Sequence, residues 1–150
     1  MSNCMFLKEL NDLINDIRVN GMRVQGCDEP QLVELEKKYG SLPECYKLFL
    51  SLMGVEAGDF IIGTSILFNE IDDVNKGVMA LMESDNIIPP ENMFVFLLHQ
   101  GYSSLFFVDR FQNDPVVYSY TEGELIKETT CTFSDFILGE IESYKEYRSK

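Results

Sequence analysis

The stretch DEPQLVELEKKYGSLPECYKLFLSLMG, from Asp28 to Gly54, decides how this chain is read. It carries start and stop signals for two short helices joined by a tight corner. Asp28 is placed to cap the first, and Gln31 completes a capping box in which each side chain accepts from the other residue's backbone N–H. Pro30 is tolerated because the first helical turn has no backbone donors to lose. Leu32, Leu35, Glu36 and Tyr39 follow at helical spacing, and Gly40 offers a left-handed exit. Ser41 to Glu44 repeats the box pattern with Pro43 in the first turn. Tyr46, Phe49, Leu50 and Met53 then form one apolar stripe before Gly54 ends the helix.

Upstream, Phe6, Leu7, Leu10, Leu13, Ile14 and Ile17 repeat at helical period. Ser2 or Asn3 is placed to cap this helix and Asn20-Gly21 to end it. Its polar face carries Lys8, Glu9, Asn11, Asp12, Asn15 and Asp16, which lacks the basic character of a membrane-surface helix. It is expected to dock on the rest of the chain, with Met22 to Cys27 as a short extended link to Asp28.

Downstream the pattern changes. Phe60-Ile61-Ile62, between Gly58 and Gly63, reads as a first strand, and Ile66-Leu67-Phe68 as another extended piece. Asn69 is expected to start a further helix with Asp72 as its acidic third residue, burying Ile71, Val74, Val78, Leu81 and Met82. Pro89-Pro90 breaks the chain. Met93 to Leu98 is a continuous apolar run, the mark of a strand buried on both faces. Leu105–Val108 and Val116–Tyr120 follow across short turns, and Leu125-Ile126 opens a polar edge strand. Such connections imply an antiparallel meander. The last helix starts at Thr132 with Asp135 three residues on, buries Phe133, Phe136, Ile137, Ile141 and Tyr144, and is expected to fray from Tyr147 to Lys150. The whole is an α+β fold read as one domain over residues 1–150, with N-terminal helices and a C-terminal helix packed on the sheet.

These motifs resemble those of the SUKH superfamily, which includes the yeast cell-wall-synthesis regulators and many bacterial immunity proteins. The carriers are the Leu-x-x-Leu-Glu-Lys helix, Gly40, the Leu-Pro-Glu-x-Tyr-Lys-x-Phe-Leu helix ending at Gly54, the strands Phe94–Leu98, Leu105–Asp109 and Asp114–Tyr118, and the closing Phe133 to Ile137 helix. The resemblance spans roughly residues 28–146. The chain has no Trp, where such domains commonly carry strong Trp positions. Phe60, Phe68 or Phe96 is expected to substitute, which leaves strand register open. The resemblance implies a protein-binding role: an immunity protein that neutralises a cognate secreted toxin, often a nuclease, or a regulatory or scaffolding domain of the cell-wall-regulator type.

Composition points the same way. Twelve Lys plus Arg against twenty-five Asp plus Glu give a formal net charge of −13. Such a surface repels nucleic-acid phosphates and anionic membranes, and attracts a basic protein partner in a salt-dependent way. Acidity also serves plain solubility. No signal peptide or apolar stretch long enough for a membrane span is seen. Cys4, Cys27, Cys45 and Cys131 are scattered without paired spacing, so a cytoplasmic protein with reduced thiols and no structural zinc is expected.

Catalytic chemistry finds no motif. His99 is the only His and stands beside a turn, with no Ser or Cys placed near it as a nucleophile. Phosphate-binding glycine loops and calcium-loop spacing are absent. We therefore expect no enzyme, no cofactor and no metal. The aromatic run Phe94, Phe96, Phe106, Phe107, Tyr118 and Tyr120 lacks the flanking cations of a base-stacking platform and reads as core. Tyr102, Tyr118 and Tyr120 are candidates for partial exposure at a protein interface. By charge density and loop position, the expected partner-binding surface centres on Glu56, Asp59, Glu70, Asp72 and Asp73, with Asp109 and Asp114 at the meander loops. Oligomeric state is left open.

Overall fold

The first helix, α1, runs Asn3–Val19 and buries Phe6, Leu10, Leu13, Ile14 and Ile17, as its period requires. The fold is described by a computed structural model covering residues 3–149, so the expected Ser2 or Asn3 cap lies outside the residues whose side chains are described. Gly21 turns the chain at φ 83 into a short strand, β1 (Val24–Gln25). The helix α2 (Glu29–Tyr39) carries the expected box, with Gln31 N–H donating to Asp28 and Asp28 N–H donating to Gln31, both at 2.9 Å. Gly40 exits at φ 91.

The next helix, α3, spans Glu44–Met53 and buries Tyr46, Phe49, Leu50 and Met53. Its start corrects the sequence reading, because Pro43, not Ser41, occupies the cap position and no side chain caps it. The tertiary structure supplies the missing acceptors instead. Cys45 N–H donates to the Asn113 carbonyl at 3.0 Å, and Leu42 N–H to the Glu36 carboxylate at 2.9 Å.

The second correction concerns residues 56–70. Phe60-Ile61-Ile62 is not a strand. The short strands are β2 (Glu56–Ala57), paired antiparallel with β1, and β3 (Thr64–Ser65). Between them the chain turns, Phe60 goes into the core, and Ile61 takes φ 52. Burial of Phe60 against Tyr144 outweighs the β-propensity of the triplet, which finds no partner strand here. Phe68–Glu70 forms a single 3-10 turn, and α4 (Ile71–Ser84) begins after it. Asn69 is therefore not its cap. The Glu70 carboxylate accepts from Leu67 N–H at 3.2 Å.

The antiparallel meander is as expected except at its last strand, which begins at Lys127 and not at Leu125-Ile126. β4 (Phe94–His99), β5 (Ser103–Phe107), β6 (Val116–Thr121) and β7 (Lys127–Thr132) follow one another antiparallel, giving a five-stranded sheet in the order β3-β4-β5-β6-β7. Phe94, Phe96, Leu97, Phe107 and Val117 face a core shared with α1, α3 and the C-terminal helix α5 (Phe133–Arg148). Val95, Phe106 and Tyr120 face the opposite side, where Val74, Val78 and Met82 of α4 cover them. Helices thus cover both faces, which is why β4 reads as continuously apolar. The box at the start of α5 is present, with Asp135 N–H donating to Thr132.

Asn75 ties α4 to the sheet. Its amide donates to the Val95 carbonyl at 2.8 Å and accepts from Val95 N–H at 2.9 Å. β3 pairs only with Leu98 and His99 of β4, so Asn75 stands in for a β3 neighbour at Val95, whose other side pairs with Phe106 of β5. The expected fraying of α5 is corrected as well. The helix continues to Arg148, whose guanidinium reaches back to Asp59 at 2.5 Å; Lys150 lies outside the described residues.

Candidate partner-binding surface

The N-terminus of α4 gathers Glu70, Asp72 and Asp73, where negative charge complements the helix dipole. Asp72 also reaches α2. It accepts the Tyr39 hydroxyl and pairs with Lys38 Nζ at 2.8 Å. Lys38 and Tyr39 hold the Asp72 carboxyl below the usual carboxylate range. Burial, and then Asp72, push the Tyr39 hydroxyl upward. Asp72 is thus a tie between two helices, whereas Asp73 is exposed and, among the described residues, no hydrogen bond or ion pair reaches it.

The other expected carboxylates divide in the same way. Asp59 accepts from the Tyr144 hydroxyl at 2.6 Å and from Arg148 at 2.5 Å. Burial would raise its pKa, but these donors and the Arg148 charge outweigh it and hold the carboxyl low. Asp114 accepts the Ser134 N–H at 2.9 Å and its hydroxyl at 2.5 Å, anchoring the start of α5. Asp109 is exposed at the meander loop and accepts from Gln112 at 2.7 Å. Glu56 lies on β2, 3.8 Å from an exposed Arg23.

These seven residues do not converge on one spot. Asp59 binds at Tyr144 and Arg148, Asp114 at Ser134, and ten residues of helix separate those contacts by roughly 15 Å. Asp73, Asp109 and Glu56 display charge to solvent, while Asp59, Asp72 and Asp114 hold the frame that displays it.

Elsewhere the surface carries features the sequence reading passed over. Ile62 and Tyr147 are 75% and 76% exposed, and both line a shallow cavity with Glu140. A wider apolar groove of about 980 Å³ runs between α4 and residues 86–93, past Met79 and Ile88. The signal for Asn75 was present, since it stands within the buried stripe of Ile71, Val74 and Val78. His99 donates or accepts through Nδ1 at 2.8 Å from Thr64 Oγ1. The aromatic run is covered on both sides. Phe94, Phe96, Phe106, Phe107 and Tyr120 are buried, which corrects the expected partial exposure of Tyr120, while Tyr118 stacks on Phe106 half-buried and Tyr102 is 44% exposed. Among the described residues, no group of three or more His, Cys, Asp or Glu is placed to hold a metal ion, and no helix is long and apolar enough to cross a membrane.

With this geometry in hand, the chain was compared with known families. The profile of the SMI1 / KNR4 family (SUKH-1) matches residues 26–139. The chain belongs to that family. The SUKH-1 match takes in the paired helices α2 and α3, the entire sheet and the first turns of α5. It begins at Gly26, where a Cβ would stand 1.8 Å from the Ser51 carbonyl oxygen. The close approach that glycine permits there accompanies the Cys27 N–H bond to the Leu50 carbonyl at 2.8 Å, just before α2 of the SUKH-1 domain. No individual curated protein matches the chain.

Proposed function

We propose that this SUKH-1 protein is a non-enzymatic immunity protein that binds and neutralises a cognate secreted toxin of a polymorphic toxin system, a nuclease, in the cytoplasm. The observation that carries the reading is the net charge of −13 on a rigid frame whose Asp73, Asp109 and Glu56 face solvent. A nuclease holds its polyanionic substrate in a basic cleft. A carboxylate-rich surface occupies that cleft or its mouth, and long-range attraction speeds the encounter. In this reading Asp73, at the exposed end of α4, leads the field with Asp109 and Glu56, while Glu70 and Asp72 beside it are held by Leu67 N–H and by Lys38 and Tyr39. Asp59 and Asp114 keep the partner-facing loops in place.

Co-expression with the toxin encoded beside this chain tests the proposal. Rescue of growth together with a purified stoichiometric complex is the expected result. A chain that neither rescues cells nor forms the complex ends the reading, and leaves an endogenous protein partner of the regulator type as the alternative.

A further inference from the structure

The loop from Gly58 to Gly63 and the last turns of α5 enclose a shallow cavity of about 370 Å³. Three observations single it out. First, Ile61 is a β-branched residue held at φ 52, a conformation such residues avoid and that persists only where neighbours impose it. Here Ile61 follows Phe60, buried against Tyr144, and the Asp59 bonds to Tyr144 and Arg148. Second, the strained turn leaves Ile62 75% exposed, and Tyr147 of α5 lines the same cavity at 76%. Third, Glu140 lines that cavity half-buried, and among the described residues no hydrogen bond or ion pair reaches its carboxylate.

The cations nearby in sequence are already engaged. Arg148 is paired with Asp59 at 2.5 Å and Lys145 with Glu9 at 3.8 Å. Burial pushes the Glu140 carboxyl upward, outweighing the opposite pull of His99. An ionised carboxylate half out of water is stabilised by a cation brought to it, and an exposed aliphatic and tyrosine pair supplies the apolar contact beside it. A second copy of this chain would bring another −13 against the first, so charge favours a basic occupant.

We propose that Ile62 and Tyr147 form an apolar contact point, with Glu140 as its charge anchor, for a Lys- or Arg-bearing segment of a basic partner protein. The assignment rests on the reading that this chain neutralises a basic toxin. It adds a short-range site to the long-range field of Asp73 and its neighbours. The field sets how fast the partner arrives, and this contact sets how long it stays.

The test measures association and dissociation of the toxin encoded beside this chain with the wild type and with Ile62→Ser, Tyr147→Ser and Glu140→Gln. Ile62→Thr, which keeps the β-branch, is a further variant in case Ile62→Ser perturbs the loop. Circular dichroism and melting should be unchanged for the exposed positions. Dissociation is expected to accelerate about tenfold in the Ile62 and Tyr147 variants, with association little altered. Glu140→Gln should weaken binding roughly fivefold and shrink its salt dependence. A wild-type complex whose dissociation is unaffected by all the substitutions overturns this site and leaves the immunity reading standing. Failure of the wild type to form a complex overturns both. A wild-type homodimer that Ile62→Ser splits overturns it in favour of a second copy as occupant.

Discussion

Replacing Asn75 with Ala should loosen the sheet from α4, and the structure sets the size of the loss. The side chain satisfies both backbone groups of Val95, at 2.8 and 2.9 Å, on a residue with no exposed surface. Water cannot easily replace the amide there. Each buried backbone group left unpaired costs roughly 1–3 kcal/mol, so the two together should cost about 2–6 kcal/mol. At roughly 2–4 °C per kcal/mol for a chain of this size, the melting temperature should fall by about 4–24 °C. Urea denaturation measures the loss, and hydrogen exchange at the Val95 amide localises it, since that proton should change from protected to exchanging. A variant that loses less than about 0.5 kcal/mol, with the Val95 amide still protected, refutes the strand-surrogate reasoning.

Three further outcomes are expected. Gly26→Ala should prevent stable folding or lower the melting temperature severely, because its Cβ would meet the Ser51 carbonyl at 1.8 Å and a backbone atom within α3 has little room to yield; near wild-type melting would show that the link moves freely. Asp59 and Asp72 both have depressed pKa values in the folded state, so the stability they contribute is present above the unfolded carboxylate value of about 3.9 and is lost as pH falls through their lower folded values. Asp59→Asn should therefore flatten the fall in urea midpoint as pH drops below about 4, and an unaltered acid slope would count against the Arg148 clamp. Neutralising the exposed charges alone, as Glu56→Gln, Asp73→Asn and Asp109→Asn together, should slow partner association and flatten its salt dependence without moving the melting temperature by more than a few degrees. Stopped-flow traces that coincide with wild type at low salt would place the encounter surface elsewhere.

What could be read without coordinates was what lies within a few residues of itself. The Asp28–Gln31 and Thr132–Asp135 boxes join side chains to backbone three positions away, so the letters alone specify them. The apolar stripes of α1, α3 and α4 follow from a 3.6-residue period, and the double burial of β4 from an unbroken apolar run. The expected edges failed where a distant atom takes over a local task. Asn113, far along the chain, supplies the acceptor at the start of α3, so Ser41 has nothing to cap. Arg148 grips Asp59 across 89 residues, so α5 keeps its last turn.

The partner surface shows the same division. Composition alone established that this protein is strongly acidic, because charge is a sum over residues and needs no geometry. Which carboxylates are free is not a sum. Asp72 and Asp73 are adjacent in the chain, yet Tyr39 and Lys38 engage one and leave the other to solvent. Only tertiary packing decides that, because a hydrogen bond is selected by what the folded backbone brings within about 3 Å. The same packing forced Ile61 and Ile62 out of the strand their letters suggest, exposing an apolar tip beside Glu140.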